Sequence, residues 1–552
     1  MKRLLAFGLI LALTGCASLP MAGPVRIGPD LVAAGGGDSF YYSPSAPVDG
    51  ASQAEIVSGF LAAGTGPQND YAVAREFLST SIRSIWNPNQ EVLIQRSSPK
   101  ISVSEQDTAT AQIDVSATVD ADGKYQTSAA GTNRVLEFEF VMEDSQWRLS
   151  KVPDATVLIR PVFDVVFSGY ALYFVDRQMR YLVPELRWFP TTAATGTRLV
   201  NALLRGASDW LKPAVYSGIP SGTRLAIDAV TVEDGTALVD LTARALVASR
   251  TDRYLIKAQL QATLSQLPNV SEVAISIERS AQDITDTDAD SRKLEPRVLA
   301  VLGQEGLEVI ASQEPTFFQP GKDFFELTQV SKIAISKAAG SVAAVTGSGV
   351  IRTGADQPGE QVELIDARAG ISAIDYDPQQ YLWTLSRAPG SQVIATFTDA
   401  ARSIVRAPWL AGESVLDFAL SPEGTRAAVL VQSQQGTRVL VSAVVRNQAG
   451  VPVEMARPLE LGREVASAVS ITWLDEISVG IVSAAVDSPS ALVATVGGTS
   501  RFIPLLPGTK QILAVGSNAQ PHLLTNEGRL FSLRGSSWAP LRDGVGSVTI
   551  ID

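Results

Sequence analysis

The sequence predicts a multidomain protein with two consecutive α+β units followed by an all-β propeller. Three observations carry that prediction. A capped helix with an apolar face gives way to alternating strands before residue 152, and a β-α-β-β-α-β order of patterns fills residues 160 to 280. Beyond residue 297 helical signals vanish, and one strand-turn-strand unit recurs about every 40 to 50 residues.

The chain opens on Lys2 and Arg3, an apolar run from Leu4 to Leu13, and then small residues, the layout of an export signal. The run is shorter than the roughly 20 residues that span a bilayer, so residues 1–15 read as a targeting segment. Leu13-Thr14-Gly15-Cys16 resembles a bacterial lipobox, which implies cleavage between Gly15 and Cys16 and a diacylglyceryl thioether on the Cys16 thiol. Cys16 is the single cysteine, so it has no disulfide partner, and lipidation explains both its uniqueness and its position. An ordinary signal peptide with an incidental cysteine is the rival reading, and further N-acylation of Cys16 stays open. Residues 16–50, rich in Gly, Pro, Ala and Ser, read as a tether with a coil-like span of about 30 Å.

The first unit is placed at 51–158. Ser52 and Glu55 form a capping box before Ile56, Val57, Phe60 and Leu61, and a second helix is expected from about Asp70 to Trp86, stopped by Asn87-Pro88. Strands follow at 109–119, 135–144 and 147–152, with Asp122-Gly123 as a turn. Two helices and a curled antiparallel sheet resemble the nuclear-transport-factor-like (NTF2) or cystatin-like cones. Either a ligand-holding cone or a filled core fits this pattern.

The second unit is placed at 159–282. Strands are expected at 171–176 and 181–190, a helix at 197–206 with Leu199, Val200, Leu203 and Leu204 inward, and a hairpin over 223–242. The inward set of that hairpin reads as Leu225, Ile227, Ala229, Val239 and Leu241. A helix from about Thr251 to Leu267 and a strand at 270–278 complete it.

The propeller is placed at 283–552, after an acidic joint. Hairpins align at 330–347, 371–387, 415–432, 469–484 and 512–528, and 297–313 supplies either a sixth blade or part of the closing one. A sandwich of similar hairpins is the alternative.

Composition narrows the chemistry. A formal charge of -12, with no cluster of Lys and Arg, argues against nucleic acid. With one histidine, His522, and no cysteine beyond Cys16, no multi-histidine metal site or Cys-His pair is available. His522 reads as a structural residue at a strand entrance. Ser97-Ser98-Pro99-Lys100 matches S-x-x-K without its companion motifs and is expected in a loop between helix and sheet. Asp286, Asp288 and Asp290 open like a calcium loop, but Ser291 and Arg297 stand where Gly and Glu belong. Gly321-Lys322 lacks the rest of a phosphate loop. Trp188, Trp210 and Trp409, beside proline-bearing turns, are candidate interface anchors or plugs of their own cores. Neither catalytic residues nor a cofactor is expected.

The order lipobox, α+β unit, second α+β unit and propeller, together with LYFVDRQMRYLVPELRWFP (172–190) and RLVNALLRGASDWLKPAVYSGIPSGTRL (198–225), resembles the LpqB lipoproteins of high-G+C Gram-positive bacteria. The middle unit resembles the GerMN module of sporulation and germination proteins. The resemblance implies a lipoprotein on the outer face of the cytoplasmic membrane that binds the extracellular domain of an MtrB-like sensor histidine kinase. It would modulate two-component signalling in cell division and envelope homeostasis. No catalytic residues come with that family. The alternatives are a glycan-binding or hydrolytic surface lipoprotein and a scaffold in lipoprotein transport.

Overall fold

Helix α1 (Gln53–Ala63) begins at the expected capping box: the Glu55 N–H donates to the Ser52 hydroxyl at 3.4 Å, and the Ser52 N–H donates to the Glu55 carboxylate at 2.8 Å. The computed structural model describes residues 44–551 except 68, 105–106, 285–293, 295–296, 305, 311–315, 318–329, 355–361, 435, 464, 466, 484–488 and 516–519. Gly15, Cys16, most of the tether, Asp286, Asp288, Asp290, Ser291 and Gly321-Lys322 lie outside the described residues.

Buried Ile56, Val57 and Phe60 of α1 pack on a seven-stranded sheet centred on the long strand Thr108–Asp120. Every second residue of that strand, from Ala109 to Val119, points inward, as the period of a strand requires. The cone is filled by aromatic side chains. Phe60 lies 5.1 Å from Trp86 and 6.2 Å from Phe138, and the Trp86 indole N–H donates to the Pro153 carbonyl at 3.0 Å. The helix expected over 70–86 is corrected to α2 (Ala72–Glu76). Leu78 forms a bridge with Leu149 and the Ser79 N–H donates to the Leu149 carbonyl at 2.8 Å, so sheet pairing takes the groups a longer helix needs. Ser97 to Lys100 joins two strands, Glu91–Gln95 and Lys100–Val103, instead of a helix and a sheet.

Helix α3 (Arg160–Val166) runs directly into strand Phe167–Asp176 of the second unit, which pairs antiparallel with Leu182–Pro190. Helices α4 (Thr195–Arg205) and α5 (Arg250–Leu264) bury the expected faces, Leu199, Val200 and Leu203 on one and Leu255, Ile256, Leu260 and Leu264 on the other. A second sheet pairs Thr236–Leu241 parallel with Glu272–Ile277, and α5 makes the crossover that such a pair demands. The hairpin expected over 223–242 shrinks to Thr231–Glu233 and Thr236–Leu241. Val239 and Leu241 are buried as expected, whereas Ile227 and Ala229 are exposed, because only Leu225 of that stretch bridges back to Leu241.

Six sheets make up the propeller among the described residues. The first is built from both ends of the domain: the last strand, Ser547–Ile551, pairs with Val298–Gly303, which pairs in turn with Gly306–Ile310. Of the stretch read as a sixth or closing blade, Val298–Gly303 and Gly306–Ile310 therefore belong to a sixth blade that is also the closing one. The innermost strands, Lys332–Ser336, Ile371–Tyr376, Ser414–Leu420, Ala468–Trp473, Thr509–Leu513 and Ser547–Ile551, line one central cavity of about 160 Å³. The repeat seen in the sequence has a physical core in its turns. Asp377 accepts the Tyr381 N–H at 2.9 Å and the Trp383 indole at 2.8 Å, and Asp475 accepts the Ile477 and Ser478 N–H groups.

Candidate functional site

Strand Leu182–Pro190 of the second unit positions a junction where all three folded units meet. The Trp188 N–H donates to the Gly123 carbonyl at 2.8 Å, and its ring lies 5.9 Å from Tyr125 and 5.1 Å from Phe163. The Trp188 indole N–H reaches the propeller and donates to the Gly497 carbonyl at 3.1 Å. Gly123 sits at φ +77°, and a Cβ there would meet the Trp188 carbonyl oxygen at 2.9 Å, so this turn requires glycine.

Alternation along the strand lets it serve two neighbours. Leu186 and Trp188 face the propeller loop at 496–498, where a Cβ on Gly498 would meet Leu186 at 2.8 Å, while Val183 and Phe189 fill the unit's own core. Arg187 is 1% exposed and donates to the Asp122 carbonyl at 3.0 Å, to Glu185 at 2.8 Å and to the Ser208 hydroxyl at 3.1 Å. From the propeller side, the buried guanidinium of Arg426 donates to the Pro184 carbonyl at 3.2 Å, pairs with Glu423 at 2.8 Å and lies over the Trp473 ring at 4.9 Å. The ion pairs fix each guanidinium within its own unit, and the bonds that cross between units are those from Arg187 to the Asp122 carbonyl, from Trp188 to the Gly497 carbonyl and from Arg426 to the Pro184 carbonyl, where a buried donor left unpaired costs about 1–3 kcal/mol.

The electrostatics of the joint follow its burial. Desolvation first, then the Glu476 charge, pushes the Tyr173 hydroxyl up to about 12, and desolvation followed by Glu423 raises the Glu476 carboxyl. Asp176 is also raised by burial, although it accepts the Arg180 N–H at 2.6 Å and the Tyr181 N–H at 2.7 Å.

A cleft of about 530 Å³ opens at this junction, with Lys124 and Tyr125 from the first unit, Arg187 and Trp210 from the second, and Arg457 and Val496 from the propeller among its walls. Trp210 packs against both the core of the second unit and the core shared by the fourth and fifth propeller sheets. Of the three tryptophans singled out in the sequence, Trp188 and Trp210 therefore serve interfaces inside the chain. Trp409 packs within the propeller and donates to the Met455 carbonyl at 3.1 Å. Sequence reasoning missed Arg187, Gly123 and Arg426; Arg187 and Trp188 stand together in ELRWFP, but only the fold brings Gly123 and Gly497 to them.

Among the described residues, no group of three His, Cys, Asp or Glu side chains is placed to hold a metal ion. His522 begins strand His522–Thr525; it is half-buried, desolvation lowers its imidazole pKa, and its Nδ1 has no hydrogen-bond partner among the described residues. No helix among the described residues is long and apolar enough to cross a membrane.

The three units and their junction define a multidomain protein of two α+β units followed by a six-sheet propeller. Family models match in the same order: the lipoprotein LpqB N-terminal domain over residues 46–164, the sporulation and spore germination (Germane) domain over 171–283, and the lipoprotein LpqB beta-propeller domain over 319–548. The chain belongs to the LpqB lipoprotein family. It is 24% identical to the lipoprotein LpqB of Cutibacterium acnes over 98% of this chain and 97% of that one. The LpqB of Thermobifida fusca is likewise 24% identical, over 84% of both chains. Among solved structures, the first GerMN domain of the sporulation protein GerM from Bacillus subtilis is 21% identical, covering 21% of this chain and 86% of that one, with a TM-score of 0.19. Relatives named as lipoproteins imply that this chain is exported.

Proposed function

We propose that this protein is a lipid-anchored binding protein on the outer face of the cytoplasmic membrane. Diacylated at Cys16, it engages the extracellular domain of an MtrB-like sensor histidine kinase and biases two-component signalling. The observation that carries the reading is the junction at Trp188. It is a cleft walled by all three units and braced by buried interdomain bonds, in a chain that aligns over 98% of its length with the LpqB of Cutibacterium acnes. A braced surface loses little entropy on binding, which suits recognition. The diacyl anchor gives stable membrane attachment, and confinement there raises the effective concentration near a membrane kinase. Binding changes kinase output only by favouring one signalling state over another. No family match carries an enzymatic description, which favours a regulator over a cell-wall hydrolase. Titration calorimetry of the full chain in detergent against the kinase's extracellular domain tests the reading. Saturable binding is expected, and its absence at about a hundred micromolar would move glycan binding to the front.

A further inference from the structure

The central cavity of the propeller has a charge arrangement that its own side chains do not complete. Lys332, Lys510 and Arg297 line it together with two carboxylates, Asp375 and Asp417. Both carboxylates are already turned to their own walls. Asp417 pairs with Lys332 and also accepts the Ile471 N–H at 3.0 Å, while Asp375 accepts the N–H of Tyr376 at 3.0 Å and of Leu420 at 2.8 Å. Lys510 has no hydrogen-bond or ion-pair partner among the described residues, and the charge that acts on it is another cation, Lys332; desolvation first and then Lys332 lower its pKa. The hydroxyls of Ser470 and Ser547 line the same space without a partner among the described residues.

We propose that this cavity binds a small oxyanion, a phosphate or polycarboxylate group, held by the ammonium groups of Lys510 and Lys332 with Ser470 and Ser547 as hydroxyl donors. The inference is independent of the kinase reading. Lys510 faces the cavity without a carboxylate partner among the described residues, whereas Lys332 is already paired with Asp417, so an anion bound between them supplies the counter-charge that Lys510 lacks. The space, about 160 Å³, is well above the roughly 10–15 Å³ that admits one water, so a group of this size fits. The protein as a whole carries a formal charge of -12 and repels anions, so uptake here requires a local site.

The test is titration calorimetry of the full chain in detergent with inorganic phosphate and, separately, citrate, at constant ionic strength near 0.15 M, where diffuse attraction is screened. Lys510→Gln is expected to weaken binding roughly tenfold to a hundredfold, the worth of one charged hydrogen bond, with Lys510→Arg close to the parent. Lys100→Gln, on the first unit, is expected to change nothing. Binding of phosphate alone assigns a phosphate ligand, and binding of citrate alone a polycarboxylate; either supports the site. No heat with either anion at about 10 mM would overturn it. So would Lys510→Gln binding as the parent does with an unchanged Tm, or Lys100→Gln weakening binding equally.

Discussion

The indole N–H of Trp188 donates to the backbone carbonyl of Gly497 at 3.1 Å, joining positions 309 residues apart in the chain. On the other side, the backbone N–H of the same residue donates to Gly123. One residue thus ties the first unit, the second and the propeller. Trp188→Ala removes both the ring and the indole bond and is expected to cost about 3–5 kcal/mol, with unfolding by calorimetry splitting into more than one transition. Trp188→Phe keeps the ring against Tyr125 and Phe163 and should cost about 1 kcal/mol. A single unshifted transition in Trp188→Ala would show that the junction does not couple the units.

Asp377 and Arg446 form a buried pair at 2.6 Å, 0% and 4% exposed, that binds the turn of the third propeller sheet to the fourth. Asp377→Ala leaves the Arg446 guanidinium without its carboxylate and the Tyr381 N–H and Trp383 indole without an acceptor. A loss of about 3–5 kcal/mol is expected in denaturant unfolding. A change under about 1 kcal/mol would contradict the role given to the turn acids.

His522, the one imidazole of the chain, is held below its ordinary pKa by desolvation. Its folded form prefers the neutral ring, so its stability contribution is present above the unfolded value of about 6.5 and is lost as pH falls through the lower folded value. An NMR titration has a single imidazole signal to follow. Its midpoint is expected below 6.5, and a midpoint at or above that value would refute the burial argument.

Cys16→Ala removes the thiol to which the lipid is joined. Membrane fractionation of the parent organism is expected to find the unchanged chain with the membrane and to show the variant unprocessed or released. Equal membrane retention of a correctly cleaved variant would rule out Cys16 as the anchor.

Much of this architecture was legible from periodicity and turn chemistry. The capping box at Ser52, the faces of α4 and α5 and the strands from Thr108 to Lys151 follow from local patterns that tertiary contacts reinforce. The helix expected over 70–86 failed because Phe77 and Ser79 exchange backbone bonds with Leu149, a partner distant in sequence. The hairpin over 223–242 was only partly met: Leu225 and Ala226 still bond to the far end of Thr236–Leu241, but the chain from Ile227 to Ala229 leaves the ladder before Thr231–Glu233 resumes it, so its alternation faces solvent. The junction was only half legible. Trp188 and Trp210 stood out as aromatic anchors, but their partners, Gly123, Gly497 and the propeller core, carry no mark in the sequence that links them. Lys510 was invisible, since a lone lysine at the start of a strand becomes notable only when six inner strands bring Lys332 to it.

In the proposed function the junction is the surface that meets the kinase. Calorimetric titration of the kinase's extracellular domain with the full chain and with a Lys124→Glu, Arg457→Glu double variant, both residues being at the cleft, tests this. At least a tenfold loss of affinity with an unchanged Tm is the predicted result. Equal affinity of the variant and the unchanged chain would contradict it.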